Sequence, residues 1–259
     1  MSIFGRLLTA HALMIILVSF AGAEETEVAE ISTIVLATSD WEPYYAENLT
    51  HGGVVADIVR TAFQRMGYKL EVKWLPWARA INAAKVGQYD GVLGAWYTEH
   101  RTHLFNYSKP FFKNEIVFFK LKGETIRYTS VLDLKSYRVG VTRNSAPHEL
   151  LKSELTGSLD IVGTADLNIK KLIAKRIDLF VDENLGIQYM INTRFPEWKG
   201  LIEALKPPLQ VNDLHIMISK KVDNNQKIVN DFNEGLQKIL DDGTFEKIIK
   251  ENGFNNQEN

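Results

Sequence analysis

Residues 34–85 read IVLATSDWEPYYAENLTHGGVVADIVRTAFQRMGYKLEVKWLPWARAINAAK, and this stretch decides the fold class. It opens on a short apolar run at 34–38 and passes through a loop. It then enters a segment at 53–66 whose Val55, Ile58, Val59, Ala62 and Phe63 recur at helical spacing. A second strand-like run at 70–75, a second helical segment at 78–85 and a short buried run at 90–93 follow. Strands alternating with amphipathic helices predict α/β architecture with mainly parallel sheets.

Outward from this block, the alternation restarts after Lys120. Strands are expected at 138–142, 159–162 and 177–181, and helices at 147–155, 167–174 and 183–191. A strand at 214–219 and helices at 225–240 and 245–251 close the chain, with Asp242-Gly243 as a helix stop. Two extended segments, 111–119 and 209–213, bracket the second block, and no Pro/Gly-rich linker separates the halves. The pattern predicts two lobes, each a mainly parallel sheet flanked by helices, joined by two extended crossings. Lobe 1 is expected to comprise 24–117 and 212–259, and lobe 2 118–211. One large doubly wound sheet is the alternative.

At the N-terminus Arg6 precedes an apolar run at 7–20 and the triplet Ala21-Gly22-Ala23. A short positive region, an apolar stretch shorter than the roughly 20 residues a membrane span needs, and an A-x-A site together predict a signal peptide at 1–23. The mature chain then starts at Glu24, outside the cytoplasm. The sequence has no cysteine, so neither a disulfide nor a lipid-bearing cysteine is expected, and the core alone must stabilise the fold. A formal charge of −2 argues against a nucleic-acid footprint.

Four clusters carry chemistry. Trp41-Glu42-Pro43-Tyr44 follows the first strand, at the carboxyl edge where open α/β sheets bind ligands. Its aromatics suit either apolar and cation–π contact or simple loop packing. Trp74-Leu75-Pro76-Trp77-Ala78-Arg79 sits at the next strand-to-helix junction, where it adds two aromatics and a cation to the same edge, Arg79 either facing a ligand or solvating the helix start. In Gly91-Val92-Leu93-Gly94-Ala95-Trp96-Tyr97-Thr98-Glu99-His100-Arg101, a small-residue strand end permits close backbone approach. The arginine beyond it offers a planar donor fork that fits a carboxylate. Asp182 ends the strand at 177–181, placed either to accept from an ammonium or to cap the next helix.

The order of several short motifs resembles one family. Aromatic-x-Pro-aromatic, then Gly53-Val54-Val55-Ala56-Asp57-Ile58, Tyr89-Asp90-Gly91, Thr98-Glu99-His100-Arg101 and Phe105-x-Tyr107-Ser108-x-Pro110-Phe111 occur in the first block. Leu134-Lys135-x-x-Arg138-Val139-Gly140-Val141 and Asp178-x-x-x-Asp182 occur in the second. Together they resemble the type II periplasmic solute-binding proteins that feed polar-amino-acid ABC importers. The resemblance implies a non-enzymatic binder that closes its lobes on an amino acid or small carboxylate for an inner-membrane permease. It further implies a monomer in the periplasm, without a cofactor.

By the same resemblance, Arg101 matches the arginine that holds the ligand α-carboxylate and Asp182 the acid that holds the α-ammonium. Trp41 falls on the aromatic wall, Trp77 on an apolar position facing the ligand, and Gly94 with Ala95 on the segment offering main-chain contacts. Ser145 lies near the second-lobe hydroxyl. Asn144-Ser145-Ala146 lacks the family's usual glycine and second hydroxyl, and Trp96-Tyr97-Thr98 is a bulky, shorter loop. With Arg79, these departures suggest a ligand flatter, more apolar or more acidic than a standard polar amino acid. Two alternatives remain open: a dehydratase acting on a small carboxylate on the same fold, with His100 or Glu99 as a catalytic acid, and a sensor-type ligand-binding module.

Overall fold

The computed structural model describes residues 32–254, so the expected signal peptide at 1–23 lies outside the described residues. In chain order the first block forms β1 (Thr33–Thr38), α1 (Val54–Gln64), β2 (Lys69–Trp74), α2 (Trp77–Lys85), β3 (Gly91–Trp96) and β4 (Phe105–Tyr107). A ten-residue strand, β5 (Phe112–Leu121), leads into the second block. That block comprises β6 (Val139–Thr142), α3 (Ala146–Leu151), β7 (Leu159–Val162), α4 (Ala165–Ile173), β8 (Leu179–Glu183), α5 (Asn184–Arg194) and β9 (Ile202–Ala204). A second ten-residue strand, β10 (Gln210–Ser219), returns to the first block, followed by α6 (Asn225–Asp241) and α7 (Thr244–Glu251).

The strand order is β2-β1-β3-β10-β5-β8-β6-β7, with β4 on β10 and β9 on β5. Two parallel sets, β2-β1-β3 and β8-β6-β7, are thus joined through the antiparallel pair β5 and β10. These long strands are the two expected crossings. The alternative of one doubly wound sheet captures only the continuity of the hydrogen-bond ladder.

Side-chain packing divides the molecule in two. One core joins Leu36, Val59, Phe63, Phe112, Ile216, Phe232 and Ile249. On the other side, Phe118, Leu134, Val141 and Val181 cluster on one face of the second sheet, and Phe119, Ile169, Leu172 and Phe180 on the opposite face. The result is an α/β fold of two lobes, each with a sheet flanked by helices.

Local sequence explains the elements. α1 buries Val55, Ile58, Val59, Ala62 and Phe63 along one stripe, the spacing that covers a sheet. α6 lies against it, and Gly235 makes the approach possible, because a Cβ there would sit 2.0 Å from the Ala62 carbonyl oxygen. Strand β10 is buried throughout from Leu214 to Ser219, as a central strand covered on both faces must be. Among the described residues no helix is long and apolar enough to cross a membrane.

Candidate functional site

Strands β1, β2 and β3 run parallel, so their carboxyl ends open at one edge. Trp41 follows β1, Trp77 starts α2 just beyond β2, and Gly94, Ala95 and Trp96 end β3. A cavity of about 450 Å³ forms there, lined by Ser39, Asp40, Trp41, Tyr45, Trp77, Gly94, Ala95, Trp96, Thr98, Arg101 and Glu183. Six of the nine residues expected from the sequence meet in it: Trp41, Trp77, Gly94, Ala95, Trp96 and Arg101.

The aromatic wall is closely packed. Trp41 N–H donates to the Tyr45 carbonyl at 2.7 Å, and its ring packs on Tyr44 at 4.5 Å between centroids, with Tyr45 and Trp96 edge-on at 5.7 and 5.9 Å. The buried Tyr45 hydroxyl donates to the Gly94 carbonyl at 2.8 Å, and burial holds that phenol well above its ordinary pKa. Gly94 has φ of 72°, and a Cβ there would lie 2.4 Å from Tyr45 Cε1, so this position excludes any side chain.

Arg101 sits in a short 3-10 turn, Glu99–Arg101, with its guanidinium 5.9 Å from the Trp77 ring centre. Among the described residues it forms no ion pair. It is a cation with an aromatic wall and a free donor fork.

The second lobe contributes Glu183, which sequence reasoning missed. Its Oε2 accepts from Trp41 Nε1 at 3.1 Å, a bond between residues 142 apart in the chain that ties the lobes across the cavity. Burial, with the neighbouring Asp182 charge, pushes the Glu183 carboxyl up to about 8, although Trp41 and Asn114 donate to it. Asn114 Nδ2 also donates to the buried Tyr44 hydroxyl at 2.5 Å, so crossing strand β5 belongs to the same network.

Three expected residues lie elsewhere. Arg79 is exposed on α2 and does not line the cavity. Ser145 is the N-cap of α3, its Oγ accepting from the His148 N–H at 3.3 Å. Asp182 stands one residue from the lining, its carboxylate accepting from the Glu183 N–H at 2.9 Å and from Thr142 Oγ1 at 3.5 Å. Burial raises it to about 6. It does not cap α5, whose N-cap is Glu183 and carries no side-chain capping bond.

A larger cavity, about 850 Å³, is lined by Leu49, His51, Asp57, Gln188, Tyr189 and neighbouring residues. It holds none of the residues expected from the sequence, and its Asp57 is already paired with His51 and Arg60. The smaller cavity, with its unpaired charges, is the better candidate. Among the described residues no group of three His, Cys, Asp or Glu is placed to hold a metal ion.

Comparison with known proteins places the fold and the family. No curated protein sequence matches the chain. Among solved structures, the second substrate-binding domain of a putative amino acid ABC transporter from Streptococcus pneumoniae Canada MDR_19A superposes with a TM-score of 0.70 at 20% identity. That match covers 85% of this chain and 98% of the other. Substrate-binding domain 2 of Lactococcus lactis GlnP, in an open conformation, gives 0.69 at 19% identity, covering 86% and 95%. The unliganded, open L-cystine solute receptor of Neisseria gonorrhoeae gives 0.70 at 18% identity, covering 85% and 92%. These likenesses fix the fold. Residues 34–255 match the model of the bacterial extracellular solute-binding proteins, family 3, and the chain belongs to that family.

Proposed function

We propose that this protein captures an amino acid between its lobes, 24–117 with 212–259 and 118–211, and delivers it to an inner-membrane ABC permease. It would do so as a periplasmic monomer after removal of residues 1–23. The observation that carries the reading is the cavity itself, which gathers Arg101 and three tryptophans from one lobe and an acid from the other. Arg101 takes the α-carboxylate through its fork, a pairing strengthened where water is excluded. Asp182 takes the α-ammonium on closure, because it is a half-buried acid without a cationic partner among the described residues. Ligand binding thereby favours the closed state, the only one in which both partners are satisfied.

The test is a thermal-shift screen of the purified protein against the amino acids, with Arg101→Ala alongside. A ligand at about 100 times its Kd stabilises the folded state by about 2.7 kcal/mol. A clear shift that Arg101→Ala abolishes supports the reading, and the absence of any shift across the panel refutes it.

A second reading, acid-catalysed elimination from a small carboxylate, has one observation in its favour. Glu183 retains its proton to about 8, as a general acid working near neutral pH requires. Mass spectrometry of each stabilising compound after prolonged incubation separates the two readings, since a binder returns it unchanged.

A further inference from the structure

The amino-acid head group accounts for Arg101 and Asp182, and this leaves one charged group over. Glu183 lines the cavity, is half-buried, and has no cationic partner among the described residues. The charged groups around it are Asp182 on its own strand, with Asp40 at the rim and Arg101 across the cavity. One unpaired arginine therefore faces two half-buried acids without cationic partners. A ligand with one negative and one positive group leaves Glu183 holding its proton, whereas one with a second positive group lets that carboxyl ionise into a pair.

The surroundings of Glu183 suit a cation as well. Trp41, whose N–H holds its carboxyl, is packed with Tyr45 and Trp96, and all three line the cavity. Aromatic faces beside an acid are a setting that attracts ammonium and guanidinium groups. The donors to this carboxyl, the Trp41 indole N–H and the Asn114 amide, are both neutral. A charged donor makes roughly twice the hydrogen bond of a neutral one.

Resting on the amino-acid reading above, we propose that Glu183 selects ligands with a cationic side chain. The Trp41–Glu183 contact is then a placeholder that the side-chain cation displaces. The ligand class is a basic amino acid, of lysine or arginine type.

Calorimetry with two near-isosteric pairs, L-lysine against L-norleucine and L-arginine against L-citrulline, tests this on the native protein, Glu183→Gln and Trp41→Phe. The native protein is expected to prefer the charged member of each pair by about 30-fold or more, the low end of what a lost partner of a desolvated charge pair costs. Glu183→Gln should erase that preference by weakening the charged member alone, with circular dichroism unchanged. Trp41→Phe keeps a ring and removes the competing N–H, so lysine should bind about fivefold tighter, the size of one net hydrogen bond. Equal or reversed preference in the native protein, or a preference that survives Glu183→Gln, overturns the selection role. Lysine affinity that is equal or weaker in Trp41→Phe overturns the placeholder. If neutral amino acids bind and Arg101→Ala abolishes that binding while no charge preference is found, this inference alone falls. If no amino acid binds at all, the functional reading falls first.

Discussion

Raising the pH should destabilise the ligand-free protein through one side chain, Glu183. Its carboxyl is lifted from an ordinary 4.5 to about 8 by burial, the Asp182 charge adding to the effect. The unfolded chain therefore gives up this proton near its ordinary value while the folded protein keeps it until about 8. The stability contributed by the retained proton is complete below pH 4.5 and is lost as pH rises through that window. The slope is about 1.4 kcal/mol per pH unit for one group. Between about pH 6 and 7.5 the loss is about 2 kcal/mol, a fall in Tm of roughly 4–8 °C for a chain of this size. Asp182, lifted to about 6, adds the same effect at lower pH only. The assay is thermal unfolding by circular dichroism at constant ionic strength, native against Glu183→Gln. The amide cannot ionise and still offers an oxygen to Trp41, so the variant should be the more stable protein at pH 8 and lose the Glu183 slope above about pH 6, where Asp182 has finished titrating. Because the two proteins share every other titrating group, their difference isolates Glu183. Parallel curves from pH 6 to 8 would falsify the argument.

Three further outcomes are expected. Asp182→Asn should weaken amino-acid binding by about 2–5 kcal/mol while leaving Tm equal or higher at pH 7, where the native carboxylate is a buried charge; calorimetry showing full affinity contradicts the ammonium role. Ser145→Ala should cost about 0.5–2 kcal/mol of stability through loss of the α3 cap, and a urea midpoint identical to native would show that the cap carries no weight. Gly94→Ala combines a left-handed backbone with a methyl driven into the Tyr45 ring, so about 2–4 kcal/mol of stability should go. An unshifted urea midpoint in that variant would show that the ring yields.

Much of the fold was legible because burial writes periodicity into the chain. The stripe of α1 and the Asp242-Gly243 stop appear where the sequence places them, and the short apolar strands of both blocks within about three residues, the one expected at 177–181 forming at Leu179–Glu183. Short elements were not: β4 and β9 are three residues each, too brief for any pattern to show. Strand β10 was read as two pieces, a crossing at 209–213 and a strand at 214–219, because Gln210, Asn212 and Asp213 interrupt its apolar run. Those residues are nonetheless strand, held by backbone pairing with β5 opposite Asn114 and Lys113, which requires no apolar side chain. Arg79 was weighed as a ligand contact because the sequence puts it beside Trp77, yet the helix turns it outward to solvent.

The acid edge shows why a site is harder to read than a core. Alternation along β8 directs attention to Asp182, and the resemblance to the family does the same, but the strand yields to α5 directly after Glu183. At that junction neither the two-residue period of a strand nor the 3.6-residue period of a helix governs where a side chain goes. What brings Glu183 to the cavity is the Trp41 N–H, a contact between residues 142 apart that no local pattern contains. The same contact explains how the protein tolerates a half-buried acid there: the proton stays on, and a neutral donor satisfies one oxygen. Local rules for a stable interior would replace both acids and Arg101 with apolar residues. Their presence without partners therefore marks them as groups kept for something outside the chain. The feature least favourable to the folded state alone, a surplus of half-buried acid over base, is thus the one that speaks most directly about the charge of what is bound.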